Sequence, residues 1–153
     1  MDLAISLHVI SVVVWVGGMV FAYAFLRPAA VEQLEPPHRL SLWVAVFKRF
    51  FPIVWLCIIA ILATGYGVIL GYYPEGFKGL PMYVNAMMGL GILMMLIFFH
   101  VFFAPFKRLK RAVDAQDWPA GGKSLSQIRL LVGINMTIGL ITVAVAIAGK
   151  SLL

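Results

Sequence analysis

The chain has 153 residues, of which 63% are hydrophobic and 12% are charged, whereas soluble domains have about 45–50% apolar and about 25% charged residues. This composition excludes a water-soluble globular domain and an intrinsically disordered chain, and the single cysteine excludes an intramolecular disulfide scaffold. The net charge of +6, from 12 Lys and Arg against 6 Asp and Glu, is therefore interpreted as a feature of a small integral membrane protein and not as a nucleic-acid-binding surface.

Four segments are long and apolar enough to cross a bilayer, since about 20 apolar residues at 1.5 Å each cover about 30 Å of hydrocarbon. They are residues 3–26, 50–73, 81–103 and 130–148. These spans leave no room for a separate soluble domain, so residues 1–153 are predicted to form one all-α, four-transmembrane-helix bundle. Helices also satisfy their backbone hydrogen bonds in lipid, and no alternation typical of a membrane barrel is visible.

The first span is expected to be retained and not cleaved as a secretion signal. Its apolar run is longer than that of a signal peptide, Asp2 stands where a signal carries a cation, and the first cation, Arg27, lies on the far side. Spacings of three and four residues place a set of polar and small residues on one face, which is predicted to face the bundle interior. This set is His8, Ser11, Trp15, Gly18 and Ala22.

The cations concentrate in two of the connections between spans. Lys78 is the only cation in the second connection, and Lys150 is the only one in the C-terminal tail. The positive-inside rule therefore predicts that the first and third connections are cytoplasmic and that both termini face the periplasm or its equivalent. The cations in or beside these two connections are Arg27, Arg39, Lys48, Arg49, Lys107, Arg108, Lys110, Arg111, Lys123 and Arg129.

Local signals predict where the later helices begin and end. The third span is expected to continue into the cytoplasm until the segment WPAGG at residues 118–122 stops it. Ser124 and Gln127 form a capping-box pattern that predicts the start of the fourth helix, and Gly149 suits its C-cap. Residues 38–49 fit either an interfacial helix or an extension of the second span, and the sequence does not separate these two structures.

No Asp, Glu, Lys or Arg lies within the four spans, so the candidate functional residues are His8, Asn85, His100 and Asn135. At about 1.5 Å per residue, His8 and Asn85 share the outer layer of the membrane, whereas His100 and Asn135 share the inner layer. The two histidines are then roughly 20 Å apart. Metal–nitrogen bonds are about 2 Å long, so one ion cannot bind both histidines.

Two kinds of cofactor site remain open from these residues. His8 with thioether sulfur from Met82 and Met88 would suit Cu(I), a soft ion, although methionines at helical spacing are also typical of core packing. The alternative is haem b. Its candidate cofactor-binding residues are His8, His100, Trp15 and Asn135. A purely structural role, in which the histidines form hydrogen bonds only, is the third hypothesis.

Three strings carry a resemblance to a known family: LHVISVVVWVGG in the first span, FFHVFFAPFKRLKRAV at the end of the third and IRLLVGIN at the start of the fourth. They resemble the copper-resistance protein D (CopD) family over most of the chain. The resemblance implies a bacterial inner-membrane protein that binds or translocates copper. Its expected partners are the lipid bilayer, a metal ion or haem, and a second copy of the chain or a periplasmic copper carrier.

The related HemJ group resembles the same four-helix unit. That resemblance implies a b-type haem protein, either an electron-transfer module or a haem-dependent membrane oxidoreductase acting on protoporphyrinogen, with His8 at the position of a haem-site histidine. The chain has Tyr83 and Asn85 where that group carries a histidine and a lysine. A copper-handling protein without catalysis is therefore the first hypothesis, a haem protein the second, and an accessory subunit the third.

Overall fold

A computed structural model of the protein describes residues 2–152, and every regular element within them is a helix. The elements are α1 (Asp2–Val20), a π-helical segment (Phe21–Leu26), α2 (Arg27–Gln33), α3 (Pro36–Tyr72), a 3₁₀ turn (Gly76–Gly79), α4 (Met82–Phe103), α5 (Pro105–Asp114) and α6 (Trp118–Leu152).

Four helical stretches are long and apolar enough to cross a membrane. They are Asp2–Gln33, Pro36–Tyr72, Met82–Asp114 and Trp118–Leu152. The four predicted spans lie within these stretches to within one residue, so the prediction of an all-α, four-span bundle is confirmed.

The helices run alternately up and down. We call the end of the bundle that holds Asp2, Leu152 and the connection between α3 and α4 the terminal end. The opposite end, which holds the connections from Gln33 to Pro36 and from Asp114 to Trp118, is the loop end. The cation-rich connections of the sequence all lie at the loop end.

Residues 38–49 belong to α3, which settles the question that the sequence left open. Leu40, Trp43 and Phe47 are buried on one face of this extension, where α3 packs against α5 and α6. Pro52 lies inside α3 and cannot donate a backbone hydrogen bond, but the helix continues on both sides of it. The extension is therefore a part of the bundle and not a separate interfacial helix.

The prediction that helix continues beyond the third span through the basic segment is confirmed as far as Asp114, but the expectation of one unbroken helix is wrong, because the helix is interrupted at Ala104. Ala104 leaves the helical conformation, with φ −116° and ψ −86°, because the proline that follows it disfavours the α conformation of the preceding residue. Pro105 then occupies the first position of α5, where its missing N–H costs nothing. Phe106 and Leu109 turn inward from α5, and its basic residues lie on the other face.

The predicted start and end of the fourth helix are also wrong. The WPAGG segment is the first turn of α6, not a stop: Asp117 accepts a hydrogen bond from Ala120 N–H at 3.3 Å, as an N-cap does. Ser124 is thus buried inside the helix and does not mark its start. Gly149 does not end α6 either, since the helix continues past it to Leu152 and packs there against Tyr83.

The most extensive helix contacts are those of α4 with α6, α1 with α3 and α5 with α6, and α1 also packs against α6. Small residues allow these approaches. A Cβ on Gly139 of α6 would lie 2.9 Å from Val16 Cγ2 and 3.0 Å from Met94 Cε, so any larger residue would overlap side chains of both neighbouring helices as they are packed here.

α3 and α4 meet through bulky aromatic side chains instead. We call the set Trp15, Phe51, Trp55, Phe98 and Phe102 the aromatic cluster. Phe51 contacts Phe98 edge to face at 5.4 Å between ring centroids, and Trp55 contacts Phe98 in the same manner at 5.5 Å. Trp15 of α1 reaches the same Phe98 ring at 6.3 Å. The cluster therefore joins three helices at the bundle centre.

The outer faces of the bundle are apolar as well. Leu3, Leu70 and Ile147 have 83%, 71% and 67% of their surface exposed, and large hydrophobic side chains are exposed along all four spans. Such a surface is unfavourable in water and suits lipid tails. The protein is accordingly a multi-pass membrane protein in contact with the bilayer.

Gly18 and Gly17 provide a matched test of the packing. A Cβ on Gly18 would overlap the Phe50 ring, whereas a Cβ on Gly17 would meet nothing within 4 Å. We expect Gly18→Ala to lower the free energy of unfolding by about 1–3 kcal/mol, the usual cost of overpacking. Gly17→Ala should leave it unchanged or slightly higher, since alanine is the better helix former. Unfolding in mixed micelles, followed by circular dichroism, measures both; equal stabilities would contradict this packing.

Candidate functional site

His8 is half-buried on α1 and is held by α3 near the terminal end. Its Nδ1 lies 2.9 Å from Thr64 Oγ1. Gly65, the next residue of α3, leaves room for the ring, because a Cβ at that position would lie 3.4 Å from His8 Cε1. The Thr64-Gly65 pair thus forms the surface on which the imidazole rests.

The hydrogen bonds around Thr64 define the tautomer of His8. Thr64 Oγ1 donates its single proton to the Ala60 carbonyl at 2.6 Å. The hydroxyl oxygen can then only accept from His8, so the imidazole must carry its proton on Nδ1. Nε2 keeps its lone pair. A neutral imidazole oriented in this way by a hydrogen bond from its other nitrogen is the form that binds metal ions.

The methionines predicted to accompany His8 lie on α4. Met82 is the first residue of that helix and is 82% exposed, while Met88 is half-buried. Both lie towards the terminal end, as His8 does, but α4 packs chiefly against α6 and His8 rests on α3. Within residues 2–152, no group of three or more His, Cys, Asp and Glu side chains could hold a metal ion. His8 therefore stands as a single imidazole donor.

Asn85 does not pair with His8. It is exposed in the first turn of α4, and its side-chain amide donates to the Leu80 carbonyl at 3.2 Å. The partner of His8 is instead Thr64, which the depth estimate from the sequence did not select. A threonine next to a glycine inside an apolar span is the only signal that could have identified it.

His100 lies apart from His8. It is exposed on α4, two residues closer to the loop end than Phe98, whose ring meets Trp15. His8 lies seven residues from Trp15 in the opposite direction, so the two imidazoles are about 13 Å apart along the bundle axis at 1.5 Å per residue. This separation is smaller than the sequence suggested but far too large for one metal ion.

A cavity of about 270 Å³ lies in the half of the bundle nearer the loop end. The π-helical segment and four helices, α1, α3, α4 and α6, contribute to its wall. The two other predicted site residues, Trp15 and Asn135, both line it. Representative wall residues are Trp15, Met19, Phe50, Phe98, Val132 and Asn135.

Asn135 is the polar group of this cavity. It is only 3% exposed, and its Nδ2 donates to the Met94 carbonyl of α4 at 3.2 Å. Its Oδ1 is the one buried side-chain polar atom in the described residues that has no hydrogen-bond partner. An unpaired acceptor in an apolar interior lowers the stability of the folded protein by about 1–3 kcal/mol, so a hydrogen-bond donor to this atom would be stabilising.

The fold and these residues define a class: a four-span membrane protein with one oriented histidine and one buried asparagine among apolar side chains. Comparison with known families identifies the family within this class. The family model described as Copper resistance protein D, CopD, matches residues 44–148, which is well over half of the chain. The protein therefore belongs to the CopD family, and this membership makes it a copper-resistance membrane protein.

The matched region begins within α3, so it includes Thr64, Asn135 and most of the cavity wall but not His8 or Trp15. No curated protein and no solved structure matches the chain. The family match supports copper, whereas the comparisons give no support to haem or to a relation with the HemJ group.

Proposed function

We propose that this protein binds Cu(I) at the membrane through His8 Nε2 and thereby takes part in copper handling. The observation that carries the proposal is the hydrogen bond from His8 Nδ1–H to Thr64 Oγ1, which leaves Nε2 free to act as a ligand. Family membership supports copper as the metal. The imidazole nitrogen also fits Cu(I), because this ion accepts imidazole as well as thioether ligands.

One imidazole does not complete a copper site. At 1.5 Å per residue from the contact between Trp15 and Phe98, Met88 lies about 5 Å and Met82 about 13 Å beyond the level of His8. We therefore propose that Met88, and not Met82, supplies a thioether ligand beside His8. Methionine side chains are unbranched and flexible, so the half-buried Met88 can turn its sulfur towards such an ion. A site of this composition at the terminal end would be open to a copper carrier on that side of the membrane.

His8→Ala is expected to abolish Cu(I) binding by the purified protein, since it removes the ligand nitrogen. Thr64→Val removes the group that orients the imidazole and should weaken binding by about 10–100-fold. Met88→Leu should weaken it without abolishing it, whereas Met82→Leu should leave it unchanged. Competition with the Cu(I) chelator bathocuproine disulfonate under anaerobic conditions measures each affinity.

Two controls match these changes. His100→Ala removes an exposed imidazole on the other side of Trp15, and Thr137→Val removes a hydroxyl that donates only to the Gly133 carbonyl of its own helix. Both variants should bind Cu(I) as the unaltered protein does. Full Cu(I) affinity in His8→Ala would overturn the proposal, and a Soret band that is lost in His8→Ala would assign His8 to haem instead.

We further propose that the terminal end faces the periplasm of a bacterial inner membrane. The support is electrostatic: the cation-rich connections lie together at the loop end, and cytoplasmic loops are the ones enriched in Lys and Arg. In this orientation His8 faces the compartment from which copper would arrive.

Single cysteines introduced at exposed positions test this orientation without removing a cation. In a Cys57→Ala background, Glu75→Cys lies at the terminal end and Gln33→Cys at the loop end. A membrane-impermeant maleimide added to intact spheroplasts should label the cysteine at position 75 within minutes. The cysteine at position 33 should react only after lysis. The reverse pattern would show that the termini are cytoplasmic.

A further inference from the structure

We infer that the interior cavity binds a neutral, lipid-soluble molecule that carries an aromatic ring and one hydroxyl group, and that this hydroxyl donates to Asn135 Oδ1. The inference goes beyond the proposed copper function. It concerns a different part of the bundle and different residues, so either can fail without the other.

The hydrogen-bond donor that we infer for the ligand follows from the environment of Asn135. The Met94 carbonyl can only accept, so it holds the amide with Nδ2 towards α4 and leaves Oδ1 without a partner. Asn135 is 97% buried, so bulk water does not satisfy this oxygen. A molecule that fills the cavity therefore gains most if it brings an O–H group to this atom.

The aromatic ring and the neutral charge that we infer for the ligand follow from the residues that line the cavity. None of the lining residues is ionisable, and Asn135 is the only one with a polar side chain apart from the indole of Trp15. Trp15, Phe50 and Phe98 offer ring edges and faces, which favour a further aromatic ring in an offset or edge-to-face arrangement. The volume of about 270 Å³ is sufficient, because an engineered apolar cavity of about 150 Å³ already holds benzene.

The path of entry follows from the π-helical segment. Phe21, Ala22 and Leu26 of this segment line the cavity, and Phe21 is 59% exposed on the lipid-facing side of the bundle. A π-helical turn inside an α-helix widens the helix and is frequent at functional sites. We therefore infer that a lipid-soluble molecule enters from the bilayer beside this segment.

Two probes distinguish the contribution of the hydroxyl group to binding from that of the ring. 4-Fluorophenol and 4-fluorotoluene have nearly the same shape, but only the phenol can donate to Asn135. We expect saturable binding of 4-fluorophenol to the full chain in nanodiscs, followed by ¹⁹F NMR, above the linear partition into empty nanodiscs. Relative to this partition, 4-fluorotoluene should bind about three- to tenfold more weakly, the range expected for one neutral hydrogen bond.

Two variants locate the site. Asn135→Leu removes the acceptor at similar volume and should weaken 4-fluorophenol about three- to tenfold while changing 4-fluorotoluene less than twofold. Val132→Phe leaves Asn135 in place and fills the cavity from the same helix face, so it should abolish saturable binding of both probes. Because Val132→Phe retains the bond from Asn135 to Met94, it tests whether the probes occupy this cavity even if Asn135→Leu does not fold. Cu(I) binding at His8 should be unchanged in both variants.

Such a hydroxyl-bearing ring could belong to a molecule that enters from the bilayer or to a free phenol, and a third probe distinguishes these two sources. 4-Octylphenol carries a chain that would pass between Phe21 and Leu26 into the lipid, so it should compete with 4-fluorophenol at least as well as unlabelled phenol does. Rejection of 4-octylphenol would overturn entry from the bilayer and leave a free phenol as the ligand. Non-saturable binding of 4-fluorophenol, or equal loss of both ring probes in folded Asn135→Leu, would overturn the hydroxyl-bearing ligand itself and leave Asn135 to bind water.

Discussion

Helix association in this protein depends on the size of the side chains between the helices, because in lipid there is little hydrophobic driving force to bring apolar helices together. Where glycine faces a neighbour, as Gly139 does towards Val16 and Met94, the backbones approach closely. Where aromatic rings face each other, as Phe51 and Phe98 do, the helices stay apart. The bundle is thus close-packed along α1–α3 and α4–α6 and wider between α3 and α4.

The unequal spacing explains why the two candidate sites differ in character. Thr64 and Gly65 allow α1 to come close to α3, so His8 is held by a side-chain hydrogen bond of 2.9 Å and has one nitrogen available. Nearer the loop end, the π-helical segment and the wider aromatic region leave a volume that the side chains do not fill. The first site suits an ion bound by a few atoms, whereas the second suits a molecule bound by its surface. Membership of the CopD family concerns copper and does not account for the cavity, whose ligand is inferred from the residues that line it.

The sequence suggested His8 and Asn135 as candidate site residues from their polarity within apolar spans, but it did not predict which groups they contact. Depth along the membrane normal suggested Asn85 as the neighbour of His8, because both lie a few residues inside a span. The actual partner, Thr64, lies on a different helix, and only the order of helices around the bundle brings it to His8. Likewise, local capping signals suggested Ser124 as a helix start, whereas Asp117 caps the helix and packing buries Ser124.

The sequence by itself determined the class of protein, the number of spans and the inward face of the first helix, because apolar length and helical periodicity are local properties. Ser11 and Trp15 are buried as that periodicity predicts. Only the tertiary structure decided the tautomer of His8, the break at Ala104, the cavity and the unpaired oxygen of Asn135. Each of these depends on atoms that are distant in the chain or on the space left between helices, and helix spacing follows from how all the side chains pack together.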